Sequence, residues 1–382
     1  MEMKRNACYK NDLDYLYNAL EKHPVFVRNQ SKRSDFKLYY ETLLQNCHCN
    51  NIEELILFSS KLTAFFNDGH TNIEIPYTTN DKCIYLPCEW ENESNDNLLL
   101  VENIYGISSK SKIVRIEHLS VTKLIDKMLE MIPHENRNLV KSRMIHYPYL
   151  NYHVFSSFNL GRIFGKRDFF RIEFCEKGEL ITKMIPLVKY DDYPSFNDDS
   201  VPFYYKIKDS TIFVYIDACI YNQNYQDFLQ EVAMICNKNS IQHMILDLSK
   251  NMGGTTSVIE EFISYTHTIN YRPYTTIDYS CGTEKIIEDR RSERINSPKE
   301  YLFPKDIQVK VGYDTFSAAR TFAVTLIDNG IAKLLEGCSG GKPNSFGAPI
   351  KGYLPTSKIK FRVSTRYFMR PDSTRDSEES MR

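Results

Sequence analysis

The 382-residue sequence has no run of 18 apolar residues, which is about the length that an α-helix needs to cross a bilayer. Its first residues lead directly into a polar helical pattern, without the apolar segment of a secretory signal. We therefore expect a cytoplasmic protein without a membrane span.

Neither sign of charge is in excess. The chain has 48 Lys and Arg against 49 Asp and Glu, for a net charge of −1. Proteins that bind nucleic acid or anionic membranes usually do so through a basic excess or patch. The composition gives no reason to expect a nucleic-acid partner.

The ten cysteines include no CxxC pair. Cys47-His48-Cys49 is a local group of metal-ligating residue types, but no second ligand pair follows it at zinc spacing. We expect neither a metal nor a cofactor, and we expect the thiols to be reduced.

Hydrophobic periodicity divides the chain into four stretches. Apolar residues recur at helical spacing near the N-terminus, short strands with one or two helices follow, and strands then alternate with helices. The last stretch has no periodicity and is rich in serine and charge, which predicts disorder. The predicted organisation is an α/β multidomain protein with a helical N-terminal domain at 1–69, a β-rich module at 77–190, an α/β core at 200–367 and a disordered tail at 368–382.

Ser317 is the first candidate for chemistry. A short apolar strand ends near Val311, residues 313–317 make a turn, and a helix begins at Ala318. A hydroxyl at such a turn lies beside the unpaired N–H groups and positive dipole end of the helix. That surrounding suits a serine nucleophile, because negative charge develops there during acyl transfer. The same placement also fits a simple helix N-cap.

Three segments, the last of which contains this serine, form a recognisable set. They are DGHT at residues 68–71, ILDLSKNMGG at 245–254, and TFSAA at 315–319 followed by GCSGGKPNSFG at 337–347. Together and in this order, they resemble the family of tail-specific (C-terminal processing) and tricorn-like serine peptidases. The resemblance implies a PDZ-like β-rich module and a core related to the crotonase-like (ClpP-like) fold. It also implies hydrolysis of peptide bonds in unfolded or C-terminal segments of proteins.

The resemblance assigns roles to individual residues. Ser317 would be the nucleophile, and the N–H groups of Gly254 and Ala318 would form the oxyanion hole. His70 of the DGHT motif would be the base, as in the tricorn-like branch. Lys342 is the competing base, as in the tail-specific branch; otherwise it would shape its loop or contact substrate.

The acid of a catalytic triad is the least defined part of the predicted site. The available carboxylates near the end of the chain are Asp372, Asp376, Glu378 and Glu379.

Two positions depart from the family pattern: Ser249 stands where Arg is usual, and Arg320 where Glu is usual. The alternative hypothesis is therefore a catalytically impaired relative that binds peptide or lipid. A third and more distant hypothesis is an esterase that uses the same serine.

Overall fold

The computed structural model describes residues 2–46, 51–74, 82–92, 94–145, 157–165, 167–189 and 201–380. The chain forms two compact units. Unit 1 comprises Met1–Asp198 and Ala348–Thr365, and unit 2 comprises Asp199–Gly347 and Arg366–Arg382. The Cys47-His48-Cys49 segment lies outside the described residues.

The helices of the described residues are α1 (Glu2–Leu20), α2 (Val25–Arg28), α3 (Ser31–Asn46), α4 (Ile52–Ala64), α5 (Val121–Leu129), α6 (Arg137–Ile145), α7 (Ser157–Phe164), α8 (Gln223–Lys238), α9 (Ser257–Ser264) and α10 (Ala318–Asp328), with a 3-10 helix at Ser373–Arg375.

The strands of the same residues are β1 (Asn72–Ile73), β2 (Lys82–Ile84), β3 (Cys88–Trp90), β4 (Leu98–Leu100), β5 (Lys112–Ile116), β6 (Leu119–Ser120), β7 (Phe169–Glu176), β8 (Glu179–Lys189), β9 (Phe203–Lys208), β10 (Thr211–Ile216), β11 (His243–Asp247), β12 (Asn270–Tyr271), β13 (Thr275–Asp278), β14 (Lys285–Glu288), β15 (Arg294–Ile295), β16 (Asp306–Lys310), β17 (Lys333–Glu336), β18 (Ser345–Gly347), β19 (Ile350–Tyr353), β20 (Lys360–Val363) and β21 (Arg366–Met369).

Unit 1 begins with helices that share an aromatic core. The ring of Phe36 is fully buried and lies 5.0 Å from the ring of Phe66 and 5.5 Å from that of Phe26. Helix α4 starts at Asn51, whose side chain accepts a hydrogen bond from the N–H of Glu54 and so satisfies a backbone donor of the first turn. The end of α4 leads directly into the DGHT motif.

Residues 348–365 belong to unit 1, and this corrects the predicted extent of the core at 200–367. Strand β20 pairs antiparallel with β1, with Asn72 opposite Arg362, and β19 pairs with β20 on its other side. The sequence pattern predicts a strand at 359–364, close to the observed β20, but it carries no information about which strand it pairs with.

The β-rich part of unit 1 is a seven-stranded sheet in the order β2-β8-β7-β5-β4-β3, with β6 paired to β5. All of its pairings are antiparallel. Helix α5 follows β6 and is capped by Ser120, whose side chain accepts from the N–H of Lys123. The loop from α5 to α6 reaches the DGHT motif, as described below.

Unit 2 is built on a five-stranded sheet in the order β17-β16-β11-β10-β9. Strands β10, β11, β16 and β17 are parallel, and β9 is antiparallel at the edge. Leu246 of β11, Val309 of β16 and Phe322 of α10 are fully buried in the core of this unit. Because β11 and β16 are parallel neighbours, the turns that follow them lie at the same edge of the sheet, where α/β proteins commonly place their sites. The predicted mixed α/β architecture is therefore confirmed.

The segment predicted to be a disordered tail is ordered over residues 368–380. The Arg370 side chain is fully buried, and its guanidinium makes a bidentate ion pair with buried Asp328, at 2.6 and 2.9 Å. Arg290 holds Asp376 in a second bidentate pair, with both N–O distances at 2.7 Å. The prediction of disorder rested on the high content of charged residues in this segment. Composition does not show that these charges have buried partners elsewhere in the chain.

Across the part of the chain that the structure describes, no helix is both long enough and apolar enough to cross a bilayer.

Candidate active site

Ser317 has an unusual backbone conformation. Its φ is 53° and its ψ is −124°, a region that non-glycine residues enter only under strain. Its side chain makes no capping hydrogen bond to α10, in contrast to Ser120 at the start of α5. Capping therefore does not explain Ser317, and a strained strand-to-helix turn is the arrangement that exposes the nucleophilic serine of α/β-hydrolases.

Hydrogen bonds from neighbouring segments hold this turn in place. The Thr315 hydroxyl donates to the carbonyl of Leu248 at 2.7 Å and accepts from the N–H of Gly312 at 2.9 Å. The N–H of Phe316 donates to the carbonyl of Asn251 at 3.2 Å. These bonds tie the turn after β16 to the turn after β11 and offset the strain at Ser317.

Asn251 supports the site, although sequence reasoning assigned it no role. Its buried side chain donates to the carbonyl of Ile216 at 2.9 Å and accepts from the N–H of Gly253 at 2.8 Å. It thereby fixes the glycine turn against β10. A polar residue between a buried strand and a glycine pair was the available signal.

The two glycines lie in different surroundings. At Gly253, with φ +105°, a Cβ atom would be 2.8 Å from Ser317 Cβ and 3.0 Å from the Ala318 nitrogen. At Gly254, with φ +141°, a Cβ atom would be 2.2 Å from the Cys219 carbonyl oxygen. Only glycine therefore permits the close approach of this turn to Ser317 and to Cys219.

Two backbone donors remain available near the serine. Within the described residues, the N–H groups of Gly254 and Ala318 donate no hydrogen bond to the protein, whereas the N–H of Gly253 is used by Asn251. The Ala318 N–H belongs to the first turn of α10, whose donors have no partner within the helix. These are the two donors that the sequence analysis predicts for an oxyanion hole.

Arg320 has a structural explanation. Its buried guanidinium donates to the carbonyl of Pro343 and to the hydroxyl of Ser345, both at 2.7 Å. Tyr274 donates to the same Pro343 carbonyl at 3.1 Å. The charge therefore ties α10 to the GGKPN loop, so its presence does not require that catalysis has been lost.

Ser249, the other departure from the family pattern, bonds locally. Its N–H and its hydroxyl both donate to an Asp247 carboxylate oxygen, at 2.9 and 2.5 Å. It closes the turn at the end of β11.

Lys342 forms an ion pair with Glu379, and about a third of its side chain is exposed (32%). A lysine that acts as a base has to be desolvated to lose its proton at neutral pH. This degree of exposure does not provide that environment.

The carboxylates near the end of the chain are bound to partners in unit 2. Asp376 pairs with Arg290, Glu378 with Arg370 and Arg375, and Glu379 with Lys342. Asp372 accepts hydrogen bonds from the N–H and hydroxyl of Thr374. Each is thus committed to a local structural contact.

His70 lies in unit 1, in a loop organised by Asp68. One carboxylate oxygen of buried Asp68 accepts the N–H of His70 at 2.9 Å. The other accepts the hydroxyls of Thr71 and Ser364, both at 2.6 Å, and the Nε2 proton of His23 at 3.1 Å. Asp68 therefore fixes the backbone conformation that carries His70.

Burial and hydrogen bonding set the ionisation of Asp68 and His23. Burial alone raises the pKa of Asp68, but the hydrogen bonds from His23 and His70 outweigh it and hold that pKa well below its usual range. Burial lowers the pKa of His23 despite its bond to Asp68. The Val25 N–H donates to His23 Nδ1 at 3.1 Å, which fixes the proton of the neutral ring on Nε2.

Two residues that sequence reasoning did not select lie near His70, one at its ring and one at the neighbouring backbone. Glu135 Oε1 is 3.6 Å from His70 Nδ1, the same distance as Asp68 Oδ1. Arg143 of α6 donates to the carbonyl of Gly69 at 2.8 Å, and burial lowers its pKa to about 10. No sequence motif marks either residue, since both approach His70 only through tertiary packing.

Asp68, His70 and Glu135 place three ligand-type atoms within 4.8 Å of one another, which is compact enough for a cation. The two oxygens of Asp68 already accept four hydrogen bonds. The Arg143 guanidinium also adds a positive charge beside this group. A metal ion would have to displace these contacts, so the donor set fits proton chemistry better than metal binding.

Comparison with known proteins bears on this arrangement. The sequence profile of peptidase family S41 matches residues 196–374. No curated protein matches the chain in sequence.

Two solved structures with TM-scores above 0.5 share the fold, and a third is similar at a lower score. Mature CPAF superposes with a TM-score of 0.66 at 11% identity, covering 95% of this chain and 90% of CPAF. A putative peptidase from Parabacteroides merdae gives 0.51 at 13% identity, covering 95% and 84%. The photosystem II D1 C-terminal processing protease gives 0.46 at 13% identity, covering 95% and 89%.

The profile match covers both turns of the nucleophile site, the glycine turn at 253–254 and the turn that carries Ser317. Residues 196–374 therefore form a peptidase family S41 domain, which identifies the chain as a serine peptidase.

Proposed function

We propose that Ser317 is the nucleophile of a peptidase reaction that proceeds through an acyl-enzyme. One observation carries this proposal: Ser317 is held at a positive φ beside two N–H groups, of Gly254 and Ala318, that have no acceptor within the described residues. Strain of this kind costs about 1–3 kcal/mol and persists where the surroundings enforce it, most often at functional sites.

In the proposed reaction, Ser317 Oγ attacks the carbonyl carbon of the scissile peptide while His70 takes the hydroxyl proton. The carbonyl oxygen becomes an oxyanion that accepts hydrogen bonds from Gly254 and Ala318. When the C–N bond breaks, the leaving amine takes the proton from His70. Water then attacks the acyl-enzyme by the same route and releases the acid and free Ser317.

We assign the base to His70 rather than to Lys342. Two carboxylates lie 3.6 Å from its Nδ1, where they stabilise the imidazolium that forms during the reaction. Lys342 is a partly exposed ion-pair partner and would shape its loop or contact the substrate.

The proposed substrates are unfolded or C-terminal segments of proteins. The seven-stranded sheet of unit 1 has β2 and β3 at the ends of its strand order. An extended peptide could add to such an edge, since its backbone groups continue the ladder. In this view the sheet has the role of a PDZ-like docking module, and the core of unit 2 that of a crotonase-like catalytic domain.

A fluorophosphonate probe tests the nucleophile. We expect it to label the full chain but not Ser317→Ala. Ser120→Ala is the matched control, because Ser120 is also at a helix start but acts as a cap; this variant should label normally. Absence of labelling in the folded wild type would favour the catalytically impaired binding protein.

A pair of variants tests the base. His70→Ala should lose peptidase activity, whereas Lys342→Ala should keep most of it. If His70→Ala stays active and Lys342→Ala is inactive, the base is Lys342.

A further inference from the structure

We propose that Glu135, on the loop between α5 and α6, is the positioning carboxylate of His70. It would accept the Nδ1 proton of the ring and leave Nε2 as the basic nitrogen. This inference rests on the proposed role of His70, and it replaces the expectation of an acid near the end of the chain.

Glu135 and Asp68 are equally near His70 Nδ1, and Asp68 also interacts with the His70 side chain. The hydrogen bonds that Asp68 already accepts are what favour Glu135 as the positioning carboxylate. Both carboxylates have an oxygen 3.6 Å from His70 Nδ1. Asp68 Oδ1 already accepts the backbone N–H of His70 at 2.9 Å, and Asp68 Oδ2 accepts three further hydrogen bonds. Asp68 therefore fixes the loop, while Glu135 approaches the ring from a different element. Catalytic contacts of this kind are often long in the ligand-free state and tighten with substrate bound.

Burial makes the contact effective. The side chain of Glu135 is 3% exposed and that of His70 is 15% exposed. Water competes little for either group at such a site, so the carboxylate has a strong influence on which ring nitrogen carries the proton.

Arg143 sets the spacing between the two loops. Its guanidinium donates to the carbonyl of Pro133, in the loop that carries Glu135, and to the carbonyl of Gly69, next to His70. One half-buried side chain thus joins both loops. Arg143 also lies close enough to Glu135 and Asp68 for both carboxylates to attract its positive charge.

The β-rich part of unit 1 therefore supports the catalytic base in addition to its proposed role in docking. The order along the chain would be base, acid and nucleophile, at His70, Glu135 and Ser317. The carboxylates at 372–379 remain structural partners of arginine and lysine.

The first test is spectroscopic and does not depend on activity. In the full chain carrying Ser317→Ala, the ring ¹⁵N shifts of His70 report which nitrogen is protonated in the neutral ring. We expect the Nδ1–H tautomer to dominate, and Glu135→Gln to shift the population toward Nε2–H. Glu130→Gln, an exposed acid at the end of α5, should leave the ratio unchanged.

The second test is kinetic. Glu135→Gln should lower kcat at least about tenfold while changing KM less than about threefold, because the ring is misoriented and substrate binding is not touched. Glu135→Asp keeps the charge and should restore part of kcat, which guards against a variant that merely folds poorly.

The outcomes separate the two proposals. If the wild type is active and Glu135→Gln changes neither the His70 tautomer ratio nor kcat, the proposed role of Glu135 is wrong and the proposed peptidase reaction stands. A tautomer shift in an inactive wild type supports the Glu135–His70 pair and contradicts the proposed reaction.

Discussion

The Gly253→Ala substitution tests how tightly the glycine turn packs against Ser317. The new Cβ atom would lie 2.8 Å from Ser317 Cβ, 2.9 Å from the Phe316 carbonyl oxygen and 3.0 Å from the Ala318 nitrogen. Two of these three atoms belong to the backbone, so the turn itself has to move. The φ of +105° is also unfavourable for alanine.

Two terms add up to the expected loss of stability. A non-glycine residue in a sparsely populated backbone region costs about 1–3 kcal/mol. Overpacking a close contact costs about 1–3 kcal/mol more. We therefore expect Gly253→Ala to lower the free energy of unfolding of unit 2 by about 2–6 kcal/mol. A shifted Ser317 should also react about 10- to 100-fold more slowly with a fluorophosphonate, because attack geometry is sensitive to displacements of this size.

Gly282→Ala is the matched control. Gly282 has φ +77°, and its Cβ position has no neighbour within 4 Å, so alanine there meets only the backbone term. Urea unfolding followed by circular dichroism gives the stabilities, and probe labelling gives the reactivity. The two variants can have free energies of unfolding within about 0.5 kcal/mol of each other, with Gly253→Ala labelling at the wild-type rate. That result would contradict the inference that the glycine turn packs closely against Ser317.

Two further predictions concern buried ionisable residues. Burial lowers the pKa of His23 in the folded chain. The unfolded chain therefore takes up a proton first as the pH falls through about 6.5. Below that pH, the free energy of unfolding decreases by up to about 1.4 kcal/mol per pH unit. Fluorescence of Trp90, the single tryptophan and a buried residue of unit 1, should show this slope in urea titrations, and His23→Gln should flatten it; an equal slope in both proteins would contradict the assignment. Arg370→Met should cost about 3–5 kcal/mol, because it leaves buried Asp328 as an unpaired charge. Adding Asp328→Asn should recover part of the lost free energy of unfolding, as measured by urea titration. If Arg370→Met is as stable as the wild type, this ion pair does not hold the segment after β21.

Much of the local structure could be predicted from the sequence. The alternation of apolar residues in β10 and β16 and the capping residues Ser120 and Asn51 are local signals, and the structure confirms those elements. The location of Ser317 between a strand and a helix was equally readable, because strand, turn and helix are contiguous in the chain. The catalytic roles of Ser317, His70, Gly254 and Ala318 remain predictions that labelling will test.

Other features depend on partners that are distant in sequence. The sequence did not show that β20 pairs with β1, that Arg370 is buried against Asp328, or that Arg320 bonds to the GGKPN loop. Periodicity reports which face of a segment is buried, but not which segment covers it.

The sequence by itself determined the order of the motifs and the class of enzyme that they indicate, and it predicts Ser317 as the attacking serine. Only the tertiary structure decided what surrounds that serine and the histidine. Glu135 is brought to within 3.6 Å of His70, while the carboxylates at 372–379 are held by arginine and lysine side chains. Whether a carboxylate supports a base or stabilises a fold depends on its buried neighbours, and those neighbours are set by packing between segments far apart in the chain.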